Sequence, residues 1–309
     1  MNKQKKKVKY CVCILCNNLQ FLKAMMYNMP RQNEEIVFVI GNDTRVVDLE
    51  NDIKEFFKNA KRLNLNNKVI VITDKKVNKF CEDTLDMNES GNEYLYEYTM
   101  GMNINLQYYL MFNEKADFEK ILFLDDDVLI NRNLMDIFKK DDFLFARENL
   151  VGGASCKGSK WNDIWVELSG AQDADEFYDG YINSGVRMYI NEEKYREVYK
   201  GLLKQFFENK RLRKWFNAWK KTGKNKGLAF FQDQEFENSF ALKIGKRNRG
   251  MEMFCNTLHS FKEESRNVNL FYYTRKHITH YVCGSWKKEF LRLLDREGVI
   301  ILDKEELIY

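Results

Sequence analysis

The sequence predicts an α/β fold with a mostly parallel sheet, and two observations carry this prediction. Up to about residue 75, short apolar runs alternate with stretches whose apolar residues recur at helical spacing. Further on, the apolar run 121–124 ends in three consecutive acids. Strands that alternate with helices lie parallel in one sheet, because each helix carries the chain back across a face of that sheet. We therefore expect a Rossmann-like sheet, mixed but mostly parallel, with helices on its faces.

The predicted elements follow in chain order. The first unit has strands at Tyr10–Leu15, 35–40 and 68–73, with helices at Leu19–Asn28 and 48–63 between them. Pro30 ends the first helix because it lacks the N–H that a further turn needs. We expect an irregular loop at 75–97, and a helix at 98–113 that leads to the acidic strand. Downstream we expect a helical turn at 134–138, a strand at 143–147, a turn followed by an apolar strand within 179–190, and helices at 192–207 and from 230 onward.

Composition places the chain among folded, globular proteins. Its 309 residues are 44% hydrophobic and 14% aromatic, which suffices for a sizeable core and excludes a disordered chain. The formal charge of +4, from 50 basic against 46 acidic residues, is too small to indicate nucleic-acid binding. One proline and 16 glycines leave no linker of the kind that separates domains. We expect a single domain over 1–309, with a basic tip at 1–9 and a C-terminal part, 250–309, that closes the site.

The cysteines favour a reducing compartment. Seven is an odd number, and most of these residues lie in apolar contexts, which does not suit a disulfide framework. Cys13 and Cys16 have the spacing of a redox or zinc pair, but no second pair follows, so we interpret them as small buried hydrophobes. No stretch reaches the ~20 apolar residues of a membrane-spanning helix. We expect a cytoplasmic protein.

Asp125, Asp126 and Asp127 follow the apolar run directly, where a predicted central strand ends. Buried without partners, each carboxylate would cost several kcal/mol, so these groups are solvated, paired or bound to a cation. Because strand side chains alternate, we expect Asp125 and Asp127 on one side and Asp126 on the other. Two carboxylates on one side form half a site for Mg²⁺ or Mn²⁺, at the edge where α/β sheets bind ligands. The alternative is a solvated acidic turn.

Four later segments carry groups suited to a site, and each has a plainer structural alternative. Asn183-Ser184-Gly185 interrupts a predicted strand with polar groups, and the alternative is a simple bulge or turn. Asp233-Gln234 stands at a predicted helix start, where an aspartate commonly caps the helix. His280 follows an apolar segment and on its own is an ordinary polar residue. Gly284 and Lys287 lie in a segment that by itself is typical of a loop with solvated charges.

Taken together and in this order, these segments resemble the GT-A fold glycosyltransferases. The closest group is retaining family 8, which includes glycogenin and the lipooligosaccharide galactosyltransferases. Its Leu-Asp-x-Asp-Val element is matched from Leu124 to Val128, and its Asn-Ser/Ala-Gly-Val element from Asn183 to Val186. Its remaining elements, an Asp-Gln pair with a following Asn and a late His, Gly and Lys, are matched by Asp233, Gln234, Asn238, His280, Gly284 and Lys287. The resemblance extends over most of the chain.

The resemblance implies a metal-dependent transfer of a sugar, with retention, from a nucleoside diphosphate, expected to be UDP, to a glycan, glycolipid or protein acceptor. It assigns Asp125, Asp127 and His280 to a Mn²⁺ or Mg²⁺ ion that neutralises the leaving diphosphate. It assigns the sugar and acceptor side of the site to three catalytic residues, Asp233, Gln234 and Asn183. The donor-binding residues that we expect are Asn17, Asn18, Asp126, Ser184, Gly185, Gly284 and Lys287. Of these, Asn17 and Asn18 face the nucleoside by their position at the switch point of the sheet.

A basic and aromatic segment, residues 209–226, suggests a further partner. It carries eight lysines and arginines, no acid, and the aromatic residues Trp215, Phe216 and Trp219. Cations interleaved with aromatics suit an anionic surface, here the interface of a membrane that the protein contacts peripherally. The alternative is a solvated helix whose aromatic side chains lie in the core.

Three other functions remain open from the sequence. An inverting GT-A transferase would use Asp233 as the general base for the acceptor hydroxyl. A nucleotidyltransferase also combines paired carboxylates and a metal on an α/β sheet, but the sequence has no glycine-rich phosphate loop with a lysine near its N-terminus. A protein without catalysis would use the basic and aromatic segment to bind an anionic surface.

Overall fold

The computed structural model describes residues 10–59, 63, 65–98, 101–115, 117–147, 162–222, 232–247, 250–258 and 276–281. The strands in these ranges are β1 (Tyr10–Leu15), β2 (Ile36–Asn42), β3 (Val69–Thr73), β4 (Lys120–Asp125), β5 (Val128–Ile130), β6 (Leu144–Arg147), β7 (Ile182–Ile190), β8 (Cys255–Leu258) and β9 (Ile278–Tyr281). The helices are α1 (Leu19–Asn28), α2 (Glu50–Asn59), α3 (Asp74–Leu85), α4 (Glu89–Glu97), α5 (Met102–Phe112), α6 (Met135–Phe138), α7 (Asn162–Ser169), α8 (Ala174–Tyr178), α9 (Glu193–Glu208), α10 (Lys210–Thr222) and α11 (Gln232–Lys243). A 3₁₀ turn, Gly250–Met253, precedes β8.

The larger sheet has six strands in the order β3-β2-β1-β4-β7-β6. The first four of these strands are parallel, whereas β7 runs antiparallel to both of its neighbours. In the centre, β1 and β4 are in register from Tyr10 opposite Lys120 to Leu15 opposite Asp125. The turn after β1 and the acids after β4 therefore meet at one edge of the sheet. This architecture confirms the predicted mixed, mostly parallel α/β fold.

Both faces of this sheet are covered, which explains why its central strands are almost entirely apolar. Alternate residues of β1 enter different cores: Cys11 and Cys13 belong to one, and Val12 and Ile14 to the other. The first core contains side chains of α3, α4, α5, α9 and α11. The second contains side chains of α1 and α2. The described helices thus hold the sheet between two layers.

A second, three-stranded sheet has the order β5-β9-β8. β4 ends at Asp125 and β5 begins at Val128, so only Asp126 and Asp127 separate them. β9 pairs antiparallel with β5 and places His280 opposite Val128. This pairing brings a late segment of the chain to the acidic turn.

Residues 75–97 are almost entirely helical, since α3 and α4 are separated only by residues 86–88, so the predicted irregular loop is wrong. α3 buries three apolar residues spaced four apart, Val77, Cys81 and Leu85, together with the polar residues Asp74 and Asn78. α4 follows, and the side chain of Asn88 caps it by accepting a hydrogen bond from the N–H of Gly91 at 2.8 Å. One apolar stripe on a polar helix gives only a weak periodic signal, so the polar composition of this stretch misled the prediction. α7 and α8 were not predicted either.

The described part of the basic and aromatic segment forms α10. The side chains of Trp215 and Phe216 are buried in the core. This agrees with the alternative of a solvated helix whose aromatic side chains lie in the core. Arg211 pairs with Asp163, and Arg213 pairs with Glu93. Lys210 and Lys214 are exposed, so they are the cations of the described segment best placed to meet an anionic surface. The side chain of Trp219 and residues 223–226 lie outside the described residues.

Across the described ranges, no helix combines the length and the apolar character that crossing a bilayer requires.

Candidate active site

The three acids lie where β4 turns into β5. Asp125 is the last residue of β4, and Asp126 and Asp127 form the turn. The side chain of Asp127 is buried, whereas about a third of the Asp125 side chain, 34%, is exposed. Asp125 and Asp127 face a common partner and Asp126 faces another part of the protein. Asp126 points away from the other two acids because residues 126 and 127 form a turn. The prediction from the sequence assumes the alternation of side chains along a straight strand.

The carboxylate of Asp126 holds the loop that follows β1. Its Oδ2 accepts hydrogen bonds from the N–H groups of Asn17 and Asn18, each at 2.7 Å. Asn18 in turn caps α1, because its Oδ1 accepts hydrogen bonds from the N–H groups of Gln20 at 2.9 Å and Phe21 at 3.3 Å. The predicted donor-facing residues Asn17, Asn18 and Asp126 therefore form one fixed unit at the carboxyl edge of β1 and β4.

His280 completes a cluster with two of the acids. Its side chain is 2% exposed, and its Nε2 lies 3.4 Å from Oδ1 of Asp127 and 3.9 Å from Oδ2 of Asp125. One ligand atom from each of the three side chains lies within 4.8 Å of the others. Two carboxylate oxygens and an imidazole nitrogen at this spacing form a donor set suited to a divalent cation.

Gly185 makes room for this cluster. A Cβ atom at this position would lie 2.5 Å from Nε2 of His280 and 2.7 Å from Oδ2 of Asp125, closer than a side chain tolerates. The glycine backbone therefore forms one wall of the space between these ligand atoms. The requirement for glycine at this point supports the fit of the three side chains around a small cation.

β7 and α11 join at a set of amide groups beside the cluster. Oε1 of Gln234 accepts hydrogen bonds from the N–H of Ser184 at 3.2 Å and from Nδ2 of Asn183 at 3.4 Å. One turn further along α11, the amide of Asn238 bonds both the N–H and the carbonyl of Ile182, at 2.8 and 2.9 Å. These contacts fix the distance between the strand and the helix that carry Asn183, Ser184 and Gln234.

Asp233 is held from a third element. Its Oδ2 accepts a hydrogen bond from Nδ2 of Asn103 on α5 at 2.8 Å. Asn103 was not predicted from the sequence. Its only signal was the pattern of polar residues in an otherwise apolar helix, in which Asn103, Asn105 and Gln107 are all buried. Such residues are buried because of a specific partner or a site, and for Asn103 the partner is Asp233.

The electrostatics of the cluster favour a cation. Loss of hydration, reinforced by the neighbouring charge of Asp127, raises the pKa of Asp125 to about 6, while His280 and Arg187 oppose the rise. The repulsion between two adjacent carboxylates is relieved when a cation binds between them. A cation bound at this point would therefore compete with protonation of Asp125.

The structure brings most of the predicted site residues to one edge of the sheet. Asp125, Asp127, His280 and Gly185 surround one space, and Asn183, Ser184 and Gln234 form the adjoining contact between β7 and α11. Gly284 and Lys287 lie outside the described residues.

Sequence comparisons give no relative: no protein-family model matches the chain, and no curated protein matches it. Solved structures do resemble it. Mouse xyloside xylosyltransferase 1, in its apo form, matches with a TM-score of 0.51 and 13% identity, over 90% of this chain and 99% of that one. The galactosyltransferase LgtC, in complex with donor and acceptor sugar analogues, matches with a TM-score of 0.43 and 16% identity, over 96% of this chain and 98% of that one.

A third structure, the bifunctional glycosyltransferase WbbM in its apo form, matches with a TM-score of 0.47 and 12% identity, over 91% of this chain and 47% of that one. The likeness to the xylosyltransferase is close enough to show a common fold, and at 13% identity it shows the fold alone. Together with the six-stranded, mostly parallel sheet, it shows that the chain has the fold of the GT-A glycosyltransferases.

Proposed function

We propose that the protein is a metal-dependent glycosyltransferase that moves a sugar from a nucleoside diphosphate donor to a glycan, glycolipid or protein. The nucleoside diphosphate that we propose is UDP. One observation carries the proposal. Asp125, Asp127 and His280 converge at the carboxyl edge of the central strands of a GT-A fold, and Gly185 leaves the space between them open. A solvated acidic turn would not bury Asp127 against an imidazole from a distant strand.

The cation is Mn²⁺ or Mg²⁺ in this proposal, held by Asp125, Asp127 and His280. When bound, it supplies Lewis-acid neutralisation of the charge that develops on the leaving diphosphate. We favour Mn²⁺, because an imidazole nitrogen is a softer ligand than the oxygens that Mg²⁺ prefers.

We propose donor-binding residues at the same edge, and their positions there support the assignment. The backbone of Asn17 and Asn18, fixed by Asp126, faces the nucleoside, and Ser184 and Gly185 border the diphosphate. We assign Gly284 and Lys287 to the diphosphate as well, on the resemblance to family 8, since a lysine there adds positive charge where negative charge develops.

Asp233, Gln234 and Asn183 are the catalytic residues of the proposal. They surround the sugar, and the acceptor oxygen bonds to the anomeric carbon on the face from which the diphosphate leaves, so the configuration is retained. The bond from the anomeric carbon to the phosphate oxygen breaks, and the acceptor proton passes to that oxygen. An inverting transferase with Asp233 as the base remains the alternative within the same fold. A nucleotidyltransferase gains no support from the structural likeness, which is to glycosyltransferases.

We also propose a cytoplasmic location and peripheral contact with an anionic membrane through 209–226. Buried thiols at Cys11, Cys13, Cys16 and Cys81 suit a reducing compartment. Exposed Lys210 and Lys214 supply the membrane-facing charge within the described part of that segment. Binding to an anionic surface without catalysis is the alternative function.

A hydrolysis screen tests the proposal. The protein is incubated with a panel of UDP-sugars, without acceptor, in Mn²⁺, Mg²⁺ or EDTA, and release of UDP is measured. We expect hydrolysis of at least one donor that requires the metal. If no nucleotide sugar binds or reacts in the presence of either metal, the transferase proposal fails and the non-catalytic alternative gains.

A further inference from the structure

Behind the candidate site lies a buried ion pair between Arg187 of β7 and Glu237 of α11. Neither side chain has exposed surface, and Nη2 of Arg187 lies 3.5 Å from Oε1 of Glu237. Desolvating two charges is so unfavourable that apolar residues of similar volume often stabilise a protein as well or better. The pair therefore needs an explanation other than the stability of the fold.

Arg187 stands next to an irregularity in β7. Arg187 lies opposite Phe145 of β6, but the following residue, Ala146, lies opposite Asn183, so residues 184–186 of β7 are skipped in this register. On the other side, β7 stays in register with β4 up to Val186. Residues 184–186 therefore form a bulge that faces the candidate site.

The guanidinium of Arg187 closes this bulge. Nη1 donates a hydrogen bond to the carbonyl oxygen of Ser184, three residues back along its own strand. The guanidinium carbon also lies 4.0 Å from the ring centroid of Phe123, the residue opposite Arg187 on β4. The side chain thus bonds the bulge on one side and packs on the central sheet on the other.

Glu237 is fixed in its turn by two tyrosines. The hydroxyl of Tyr189 donates to its Oε2, and the hydroxyl of Tyr199 lies 3.1 Å from its Oε1. The Tyr199 hydroxyl is also 3.2 Å from the carbonyl oxygen of Ile104 on α5. Burial raises the pKa of both tyrosines well above its ordinary value, so both hydroxyls keep their protons. The pair is therefore anchored to β7, α5, α9 and α11 together.

The bulge sets two contacts of the candidate site. Gly185, its middle residue, forms the wall that lets His280 and Asp125 approach one another. The N–H of Ser184, its first residue, donates to Gln234. Any change in the path of 184–186 would move the wall of the cation site and the amide of Gln234 at once.

We propose that Arg187 and Glu237 are positioning residues, whose buried ion pair holds the 184–186 bulge of β7 in the path that the cation cluster and Gln234 require. Both side chains are fully buried, so we assign them no contact with the donor. The part of this inference that concerns turnover rests on the proposed function, while the part that concerns the cation cluster does not.

The test replaces both charges at once with apolar residues of similar length, in the double variant Arg187→Met with Glu237→Leu. Mn²⁺ affinity is measured by electron paramagnetic resonance, and kcat and KM by hydrolysis of the UDP-sugar that the wild type cleaves. Because partners of metal ligands typically contribute about 10- to 100-fold to affinity or activity, we expect a loss in that range in Mn²⁺ affinity. We also expect kcat to fall with little change in KM, and cooperative unfolding to persist.

Lys120→Met provides the matched control. Lys120 is a largely buried cation at the opposite end of β4, where its Nζ donates to the carbonyl oxygens of Phe138 at 2.8 Å and Lys140 at 2.6 Å. Like the double variant, Lys120→Met removes a cation that donates hydrogen bonds to backbone carbonyls, but among the described residues Lys120 makes no hydrogen bond with the 184–186 bulge. We expect wild-type Mn²⁺ affinity and wild-type kcat from it. If the double variant does not fold, the isosteric change Glu237→Gln is judged by the same measurements and the same criteria.

Each outcome decides between the ideas. Equal Mn²⁺ affinity and equal kcat in wild type and double variant overturn the inference and leave the proposed function standing. An equal loss in Lys120→Met also overturns it, because the effect would then be general. A wild type that binds Mn²⁺ but cleaves no nucleotide sugar removes the proposed function, and the Mn²⁺ affinities still decide the inference. A wild type that binds neither Mn²⁺ nor Mg²⁺ overturns both.

Discussion

Nε2 of His280 lies 3.4 Å from Oδ1 of Asp127, although almost half the chain separates the two residues in sequence. The contact exists because β9 pairs with β5 directly after the acidic turn. Two carboxylates as close as those of Asp125 and Asp127 repel one another, and a cation bound between them would relieve that repulsion. The relationship makes the acidic turn and the late strand a single unit, and it motivates the first prediction.

Asp127→Asn should abolish Mn²⁺ binding while the fold survives. The amide keeps the volume of the carboxylate but removes its charge, and with it the electrostatic attraction for the cation. We expect Mn²⁺ affinity to fall by at least about 100-fold, the upper end of what even indirect partners of a ligand contribute. Mn²⁺ paramagnetic resonance and circular dichroism measure the two effects.

Asp83→Asn is the control for this change. Asp83 is an exposed carboxylate on α3 that pairs with Lys79, so its loss should leave Mn²⁺ affinity as it was. Unchanged metal-dependent hydrolysis in Asp127→Asn would remove Asp127 from the assigned ligands.

The fold could be predicted from the sequence because its central strands are buried on both faces. Apolar runs such as Tyr10–Leu15 have no polar residue that a half-exposed strand would show, and the structure places that strand at the same residues. α3 and α4 could not be found in this way, because each buries only a few apolar residues within a largely polar sequence. Where tertiary contacts, and not composition, stabilise a helix, the sequence gives a weak signal.

The candidate site was predictable in its residue types more than in its geometry. The sequence motif predicted that Asp125 and Asp127 lie on one side. They do so because of the turn at 126–127, and not because of strand alternation. Asn103 and Arg187 were missed, although each is a polar residue inside an apolar element. Their partners, Asp233 and Glu237, lie far away in sequence, so only the packing of α5 and β7 against α11 reveals what they do.

Gly185→Ala should weaken the cation site by crowding it. The added methyl would meet Nε2 of His280 and Oδ2 of Asp125 at 2.5 and 2.7 Å, so one of these groups must move. We expect a loss of about 1–3 kcal/mol in the free energy of unfolding from the overpacking, and about tenfold weaker Mn²⁺ binding from the displaced ligand. Thermal denaturation and a Mn²⁺ titration measure these quantities.

Gly201→Ala is the matched control, because a Cβ there meets nothing within 4 Å on the surface of helix α9. It should leave Mn²⁺ binding unchanged and stabilise the helix by about 0.5–1 kcal/mol. Wild-type Mn²⁺ affinity in Gly185→Ala would show that this backbone does not border the cation.

The stabilisation that Mn²⁺ gives should disappear in mild acid. Because the pKa of Asp125 is raised to about 6, protons displace the cation as the pH falls through that value. Without metal, the free energy of unfolding changes with pH in the opposite direction. The ionised carboxylate is disfavoured in the folded state, so its protonation stabilises the fold. We expect Mn²⁺ to raise the unfolding temperature near pH 7.5 and to have little effect near pH 5. A shift that does not change between these two conditions would rule out Asp125 as a ligand.

The membrane proposal now concerns fewer residues. Arg211 and Arg213 already pair with acids, so we expect Lys210→Ser with Lys214→Ser to weaken binding to vesicles of anionic lipid by about 1 kcal/mol per lysine. Raising the salt should have the same effect, since the screening length is only ~8 Å at physiological ionic strength. Lys54→Ser with Lys58→Ser, on α2, is the control. A wild type that ignores such vesicles at low salt ends this proposal.

The last prediction concerns Asp233 and the stereochemistry of transfer. Asp233 is held by Nδ2 of Asn103 at 2.8 Å, next to Gln234, whose amide oxygen is bound by the backbone of β7. In a retaining enzyme Asp233 anchors the donor sugar through a charge-assisted hydrogen bond, so Asp233→Asn should cost roughly 1.5–3 kcal/mol in transition-state stabilisation. Gln234→Ala should cost less.

Asn103→Ala distinguishes anchoring from base catalysis further, because it removes the hydrogen bond from Asn103 without removing the charge of Asp233. We expect a smaller loss than in Asp233→Asn, and no change in the anomer formed. Proton NMR of the product from an α-linked donor decides the stereochemistry: an α-linked product supports retention. A β-linked product would reject retention and make Asp233 the general base, since an inverting transfer needs a carboxylate to take the acceptor proton.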